Sequence, residues 1–291
     1  MKIVLFGAAG QVGKEVTAAS ADFPGIDIIP LRRADADLAE AGAAAAVILR
    51  TRPAAVINAA AWTAVDKAEA ETETACRINA LAAGEIAVAC REIKARLVQV
   101  STDYVFAGDR AGTPLDERAP ARPLNAYGAS KLRGEQLAKS GNPDTIVLRT
   151  SWVYSVHGAN FVKTMLSLAE SRDEANVVDD QRGGPTPASA IARACLTIAS
   201  RRDGPAGLYH FQGSPDASWA DFAEAVFAAA NCPTKVNRIR TDEYQTAAQR
   251  PLYTVLDCSK IDRDYGLKQP DWRTHIAQVA AELVAVKRNR R

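Results

Sequence analysis

The stretch Lys2-Ile-Val-Leu-Phe6, followed at once by Gly7-Ala-Ala-Gly10-Gln-Val-Gly13, decides the fold class of this chain. The first five residues are an apolar run typical of a buried strand, and residues 14–19 are typical of a helix. A strand, a glycine turn and a helix in this order are the context that a dinucleotide-binding motif requires. Gly7 permits the tight turn, Gly10 lets the backbone approach a pyrophosphate, and Gly13 allows close packing of helix and strand. We therefore expect phosphates to bind at the N-terminus of the first helix.

Four more apolar runs follow in the first half of the chain, at residues 27–31, 54–60, 96–100 and 145–149, and helical patterns separate most of them. Repeated βα units predict an α/β fold with a doubly wound, Rossmann-type parallel sheet. After residue 150 the alternation of strand and helix patterns becomes irregular. A loop rich in Gly and Pro lies at 180–187, and helical patterns lie at 188–200 and 218–230. We expect a dinucleotide-binding domain over residues 1–150 and a smaller, mixed substrate-binding domain over 151–291. The boundary is soft, because later segments could return to the sheet.

The composition is that of an ordinary globular protein of 291 residues, with 24% charged and 47% apolar residues. A net charge of +2 gives no reason to expect nucleic acid or an acidic membrane surface as a partner. Five cysteines without CxxC spacing predict reduced thiols in a cytoplasmic protein. We expect neither a signal peptide nor a membrane-spanning segment. The basic run at residues 287–291 is typical of a solvated tail.

Tyr127-Gly-Ala-Ser-Lys131 places a tyrosine and a lysine four residues apart, next to a predicted helix over residues 129–139. Such a pair lies on one helix face. A phenol has a pKa of about 10, and a nearby ammonium is expected to pull that pKa toward neutrality, where a general acid works best. Most Tyr/Lys pairs at this spacing are solvated helix surface, so the spacing alone leaves the role open.

The apolar run at residues 96–100 ends in Ser101-Thr102-Asp103-Tyr104. Open α/β sheets bind their ligands at the carboxyl ends of the parallel strands. Thr102 would then hydrogen-bond the substrate oxygen that Tyr127 protonates. A plain turn at a strand end also uses Ser, Thr and Asp, so the alternative is a turn without a ligand.

The second apolar run ends in Arg32-Arg33, without an acid directly at that point. In dinucleotide-binding folds an acid there favours NAD, whereas an arginine accommodates the 2′-phosphate of NADP. The two arginines favour NADPH, with NADH possible. The alternative is two solvated surface arginines.

Together these residues resemble the extended short-chain dehydrogenase/reductase superfamily and, within it, the dTDP-4-dehydrorhamnose reductases. The resemblance spans nearly the whole chain, and the blocks TDYVF, RTSWVY and DQxGxPT are specific to this branch. The segments that carry it are residues 7–13, 58–69, 101–106, 127–131, 149–154 and 180–186.

The resemblance implies NADPH-dependent reduction of the C4 ketone of dTDP-4-dehydro-β-L-rhamnose. It makes Tyr127 the proton donor, Lys131 the residue that binds the nicotinamide ribose and tunes Tyr127, and Thr102 the residue that orients the carbonyl. It also implies cofactor contacts at Gly10, Gln11, Val12, Asp37, Leu38, Ala61, Trp62 and Thr63, and substrate contacts at Asp103, Trp152 and Arg250. For Trp152, a core position at the junction of the two halves is the alternative.

Some members of the family are described as Mg²⁺-dependent through glutamates at a dimer contact. Glu15 is in place here, but Ser189 stands where a second acid would be expected. Hard cations need carboxylate oxygens, so we do not expect a bound metal. The chain is expected to be a monomer or homodimer. Two other functions stay open: a nucleotide-sugar epimerase or dehydratase, and a non-catalytic nucleotide-binding regulatory subunit.

Overall fold

Parallel strands form the centre of the fold. The computed structural model describes residues 1–109 and 112–288, and for residues 286–288 only the backbone. The predicted basic tail at 287–291 therefore falls on side chains outside the described part of the chain. In chain order, the strands of the described ranges are β1 (Lys2–Phe6), β2 (Asp27–Leu31), β3 (Ala55–Asn58), β4 (Arg96–Thr102), β5 (Thr145–Thr150), β6 (Val153–Tyr154), β7 (Glu174–Val178), β8 (Arg182–Gly183), β9 (Thr186–Pro187), β10 (Gly207–His210), β11 (Ala217–Ser218) and β12 (Lys235–Ile239).

Helices alternate with these strands through most of the chain. Over the same residues they are α1 (Gln11–Ala19), α2 (Ala43–Thr51), α3 (Val65–Ala70), α4 (Thr72–Cys76), α5 (Ala82–Glu92), α6 (Ala126–Gly141), α7 (Phe161–Leu168), α8 (Ala188–Ser200), α9 (Trp219–Ala229), α10 (Ser259–Tyr265) and α11 (Trp272–Arg288). A π-helical turn at Arg77–Leu81 joins α4 to α5. The helical stretch from residue 72 to residue 92 is therefore interrupted by this turn.

The main sheet has six strands in the order β10-β5-β4-β3-β1-β2, and every neighbouring pair is parallel. The order reverses at β1, because β2 lies on one side of it and β3 on the other. Ligands of open α/β sheets bind outside the carboxyl ends of the strands at such a reversal. The predicted α/β class with a Rossmann-type parallel sheet is confirmed.

Both faces of the sheet are covered, which explains why its strands are continuously apolar. In β1, Ile3 and Leu5 point to a core that includes α1 and α8, while Val4 and Phe6 point to a second core that includes α2 and α5. Side chains of a strand alternate between the two faces, so one short run supplies both cores.

The second half of the chain contributes to both parts of the molecule. Its two-stranded sheets β6–β9, β7–β12 and β8–β11 lie near α7, α9 and α11, which bury a separate aromatic core. Strand β10 instead pairs with β5 at the edge of the main sheet, and α8 packs against α1. The division into two domains near residue 150 stays a prediction.

No helix among the described residues has the length and apolar character needed to cross a membrane. The five cysteines are all free thiols.

The close backbone contact at the glycine turn predicts the effect of a single methyl group. A Cβ on Gly13 would lie 2.1 Å from the carbonyl oxygen of Gly7, whereas a Cβ on Gly10 would lie 3.3 Å from the same atom. Gly13→Ala should therefore lower the free energy of unfolding by at least about 1–3 kcal/mol, the usual cost of overpacking. Gly10→Ala is the matched control and should cost clearly less. Equal urea midpoints for the two variants would contradict this account of the turn.

Candidate active site

A cavity of about 780 Å³ opens at the carboxyl edge of the sheet, beside the strand reversal. Ligand sites commonly have volumes of about 300–1,000 Å³. The residues predicted from the sequence that line it are Gly7, Gly10, Gln11, Val12, Arg32, Asp37, Leu38, Ala61, Trp62, Thr63, Thr102, Asp103, Tyr127, Lys131 and Trp152. The structure thus brings together most of the predicted site. Gly13 lies beneath the cavity, against Gly7, and Arg250 lies outside it.

Tyr127 and Lys131 project from the first turns of α6. This helix begins before the predicted residue 129 because Asn125 caps it, with its side-chain oxygen accepting a hydrogen bond from the N–H of Gly128 at 2.8 Å. The Lys131 ammonium donates to the carbonyl oxygen of Val100 at 2.7 Å. Both side chains are buried, one turn apart, against the end of β4.

Further along α6, Glu135 fixes the helix to β5. Its carboxylate forms a two-pronged ion pair with Arg149, with N–O distances of 2.9 and 2.7 Å, and accepts a hydrogen bond from Ser101 at 2.5 Å. Both partners of the pair are buried. Such a pair holds its partners in a defined geometry, because removing either would leave a buried charge unpaired.

The expectation of a pKa near neutrality for Tyr127 is wrong for this structure, because burial outweighs any effect of Lys131. Burial raises the pKa of Tyr127 to about 12, and the nearby Asp103 charge acts in the same direction, while a hydrogen bond from Thr102 acts against them. Burial lowers the pKa of Lys131 to about 8, which the negative charge of Glu135 partly opposes. The phenol is therefore protonated at neutral pH, the state that a proton donor requires, and the ammonium is largely charged.

Asp103 adjoins Thr102 at the end of β4 and is only 2% exposed. Its carboxylate accepts hydrogen bonds from the hydroxyls of Thr102, at 3.1 Å, and Thr254, at 2.6 Å. Burial nevertheless dominates and raises the pKa of Asp103 to about 6. A buried carboxyl group that titrates near neutrality is typical of functional sites. No sequence pattern indicated Thr254, because it lies 151 positions further along the chain than Asp103.

Trp152 forms one wall of the cavity and also packs against the aromatic core, so both of its expected roles stay open. Its ring stacks on Trp219, with centroids 3.5 Å apart and planes at 4°, and the ring of Phe161 lies 4.6 Å from that of Trp219. All three rings line the cavity. The backbone of Trp152 has a φ of 45°, a left-handed conformation that is uncommon for a bulky residue. A Cβ on Gly183 would lie 2.6 Å from the Trp152 indole nitrogen, so this ring also needs a glycine beneath it.

Asn79 is a second residue that the sequence analysis missed. It lies in the π-helical turn, where its side-chain oxygen accepts from the N–H of Trp62 at 2.8 Å. Its amide nitrogen donates to the Trp62 carbonyl at 3.1 Å and to the hydroxyl of Ser130 at 3.0 Å. It therefore ties the loop after β3 to α6. π-Helical turns often mark functional sites. The feature of the sequence that could have indicated Asn79 is a polar residue within an apolar pattern typical of a helix.

Arg33 and Asp37 lie at the far end of the cavity, after β2. The Arg33 guanidinium, 76% exposed, donates to the Asp37 carboxylate at 2.9 Å. Hydrogen bonds from the N–H of Ala39 and from Arg33 lower the pKa of Asp37. Arg32 is exposed and lines the same end of the cavity, so positive charge is available where β2 stops.

Arg250 is held away from the cavity by an acid in α3. Its guanidinium donates to both carboxylate oxygens of Asp66, at 2.9 and 2.7 Å, and these hydrogen bonds lower the pKa of Asp66. The N–H of Ala248 also donates to Asp66 at 3.0 Å. The ion pair fastens the loop before residue 250 to the segment that follows Trp62 and Thr63.

No group of three or more His, Cys, Asp or Glu side chains with the geometry to hold a metal ion occurs among the described residues. The Glu15 carboxylate lies 3.8 Å from the imidazole of His157, and burial raises the pKa of Glu15.

The model of the RmlD substrate binding domain family matches residues 1–285. The chain belongs to this family. Curated dTDP-4-dehydrorhamnose reductases from Sinorhizobium fredii and Escherichia coli K12 are 40% and 38% identical to it, over 94% and 97% of this chain and 94% and 98% of theirs.

Solved structures of the same family agree. A dTDP-4-dehydrorhamnose reductase from Clostridium acetobutylicum is 36% identical, covers 97% of this chain and 99% of its own, and superposes with a TM-score of 0.92. The Bacillus anthracis reductase, solved in complex with NADP, is 35% identical with the same coverage and a TM-score of 0.90. The resemblance inferred from the sequence motifs is confirmed.

In this member of the family, the buried Asp103 should make stability depend on pH. Its folded-state pKa of about 6 lies above the ordinary aspartate value of 3.8, so protonation favours the folded state. The resulting stabilisation is complete below pH 4 and is lost as the pH rises through 6. Raising the pKa of this carboxyl group by about two changes the free energy of unfolding by about 3 kcal/mol between these pH values.

The check is urea unfolding of the native protein and of Asp103→Asn between pH 4.5 and 7.5. The variant cannot titrate, so its stability relative to the native protein should rise with pH and level off above 6. Parallel curves over this range would show that Asp103 keeps an ordinary pKa.

Proposed function

We propose that this chain is an NADPH-dependent dTDP-4-dehydrorhamnose reductase, which reduces the C4 ketone of dTDP-4-dehydro-β-L-rhamnose to give dTDP-L-rhamnose. The observation that carries this proposal is that Thr102, Tyr127 and Lys131 lie in the same cavity as the glycine turn. The named relatives, identical at more than a third of positions over nearly full length, support the substrate.

The backbone of the glycine turn indicates that the cavity fits a dinucleotide. At Gly7 a Cβ would lie 2.6 Å from the backbone nitrogen of Ala60, so the turn leaves no room for a side chain beside β3. The first N–H groups of α1 have no acceptor within the helix and, with the helix dipole, suit the phosphates. Lys131 and Tyr127 would hold the nicotinamide end. When bound, NADPH supplies the hydride.

The side chains of the chain then act on the carbonyl oxygen. As negative charge develops there, the hydroxyls of Tyr127 and Thr102 donate hydrogen bonds that strengthen in the transition state. Tyr127 transfers its proton to this oxygen. Because a buried phenolate is costly, the charged Lys131 one turn away stabilises the tyrosine after the proton has left.

Cofactor preference rests on the end of β2. Arg32 and Arg33 supply positive charge there, which suits the 2′-phosphate of NADP, and the Bacillus anthracis relative was solved with NADP. Arg33 already pairs with Asp37, so Arg32 is the better candidate for the phosphate contact. We place the enzyme in the cytoplasm as a monomer or homodimer, with a product that supplies cell-surface polysaccharide.

The proposed function is tested with purified dTDP-4-keto-6-deoxy sugar and NADPH, by following the absorbance of NADPH. A reductase consumes NADPH in proportion to sugar, whereas an epimerase or dehydratase regenerates its cofactor and a regulatory subunit does not turn over. No net NADPH oxidation would contradict the proposal.

Tyr127→Phe keeps the ring and removes the proton, so turnover should fall by about 10²–10⁴, the usual contribution of a general acid. NADPH affinity should hardly change. The matched control is Tyr104→Phe, since the Tyr104 ring packs edge-on against Tyr127 at 5.7 Å and lines the same cavity. Near-normal turnover of Tyr127→Phe would remove the phenol from the mechanism.

Trp219→Ala tests whether the stacked pair positions Trp152 for the deoxysugar. An aromatic pair contributes about 0.5–1.5 kcal/mol, so kcat/KM for the sugar should fall about 2- to 10-fold. Trp219→Phe keeps an aromatic face and should lie close to the native value. If both variants match the native enzyme, the stack has no part in sugar binding.

A further inference from the structure

The side chain of Gln11 is turned away from the expected phosphate site. Gln11 is the first residue of α1, inside the glycine motif. Its Oε1 accepts hydrogen bonds from the hydroxyl of Ser155 at 3.0 Å and from the amide of Asn160 at 2.9 Å. Its Nε2 donates to the carbonyl oxygen of Val153 at 3.5 Å. The side-chain amide is thus engaged with a segment more than 140 residues away.

That segment comprises residues 152–161 and is the 152–161 loop. It follows β5, contains β6 and ends at the first residue of α7, and five of its residues line the cavity: Trp152, Val153, Gly158, Ala159 and Phe161. The loop thus includes Trp152, the residue expected to contact the sugar, whereas Gln11 belongs to the glycine turn expected to hold the cofactor.

The start of the loop is also held elsewhere, because β6 pairs with β9 and the Tyr154 hydroxyl donates to the carbonyl oxygen of Trp272 at 2.9 Å. Between residues 155 and 160, most hydrogen bonds converge on Ser155 and Asn160. Ser155 is 2% exposed and accepts from the N–H of His157 at 3.0 Å. Asn160 caps α7 through its side-chain oxygen, and its amide also donates to the carbonyl oxygens of Ser155 and His157, at 2.8 and 3.2 Å. Gly158, with φ at 61°, approaches Gln11 so closely that a Cβ there would lie 3.1 Å from its Cγ.

We propose that Gln11 is a positioning residue for the substrate: its backbone serves the cofactor, and its side chain holds the 152–161 loop against the glycine turn. The wall that faces the sugar is thereby fixed relative to the end of the cavity where hydride is delivered. This inference rests on the proposed function for its kinetic consequences. The anchoring itself depends only on the hydrogen bonds.

Loss of the anchor should appear on the sugar side of the kinetics. Gln11→Met keeps the length of the side chain and removes its hydrogen-bonding groups. We expect KM for the keto-sugar to rise by about tenfold because the three hydrogen bonds of Gln11 to the loop are lost, and kcat to fall because the sugar is less well oriented. The dissociation constant of NADPH, measured without sugar, should stay within about threefold, since the backbone N–H groups remain.

Three further variants sharpen the test. Ser155→Ala and Asn160→Asp each remove one donor to Gln11, and the aspartate keeps the acceptor that caps α7. Both should raise KM for the sugar, and combining either with Gln11→Met should add little. Gln11→Glu keeps the oxygen that accepts from Ser155 and Asn160 and loses only the long hydrogen bond to Val153, so it should largely restore the loop, although its charge weakens binding of the anionic cofactor.

Amide hydrogen exchange of the 152–161 loop gives a readout that needs no substrate. Exchange should be faster in Gln11→Met than in the native protein, and near native in Gln11→Glu. If Gln11→Met does not fold, the same comparison is made with Ser155→Ala and Asn160→Asp. Unchanged exchange in the variants overturns the anchoring.

The inference is also overturned if Gln11→Met weakens NADPH binding tenfold or more while KM for the sugar stays native, because the side chain would then serve the cofactor. A native enzyme that fails to oxidise NADPH with the keto-sugar contradicts the proposed function instead. In that case hydrogen exchange alone decides whether Gln11 anchors the loop.

Discussion

The close approach of three backbone segments at the glycine turn is the constraint on which the rest of this structure depends. The α-carbon of Gly13 packs on the carbonyl of Gly7, and Gly7 packs on the backbone of Ala60. Because no side chain separates them, α1 starts directly above the end of β1 and beside the end of β3. That position puts free N–H groups at the strand reversal, where phosphates can bind, and brings Gln11 within reach of the second half of the chain.

Buried polar groups give the catalytic end of the cavity its character. Lys131, Asp103 and the Glu135–Arg149 pair all lie where burial penalises charge. Hydrogen bonds offset part of that penalty, but the pKa of Asp103 is still raised and that of Lys131 is still lowered, each toward the neutral form. The same burial keeps the phenol of Tyr127 protonated and makes local interactions strong. The buried polar groups of the site therefore lower the stability of the folded protein, although the proposed chemistry depends on them.

The sequence was informative wherever function depends on residues close together in the chain. The strand, glycine turn and helix at residues 2–19, the Tyr127/Lys131 pair and the end of β4 are local patterns, and they were sufficient for the fold class and for most of the cavity lining. Thr254, Trp219 and Asn79 were missed because each acts through a partner that only the folded chain brings near. The pKa of Tyr127 could not be predicted from its spacing to Lys131, since burial and the lysine's bond to Val100 depend on tertiary packing.

The hydrogen bond between Thr254 and Asp103 has a consequence for protein synthesis. Residues 1–150 carry nearly all the groups that surround the reactive end, yet a buried carboxylate among them obtains one of its two hydroxyl partners only from residue 254. The edge of β5 likewise stays unpaired until β10 has been made. On the ribosome, where N-terminal segments fold first, the nascent chain therefore carries an open sheet edge until residue 210 has been added and an incomplete site until residue 254 has been added. Catalytic competence arrives late, only after Thr254 has been made.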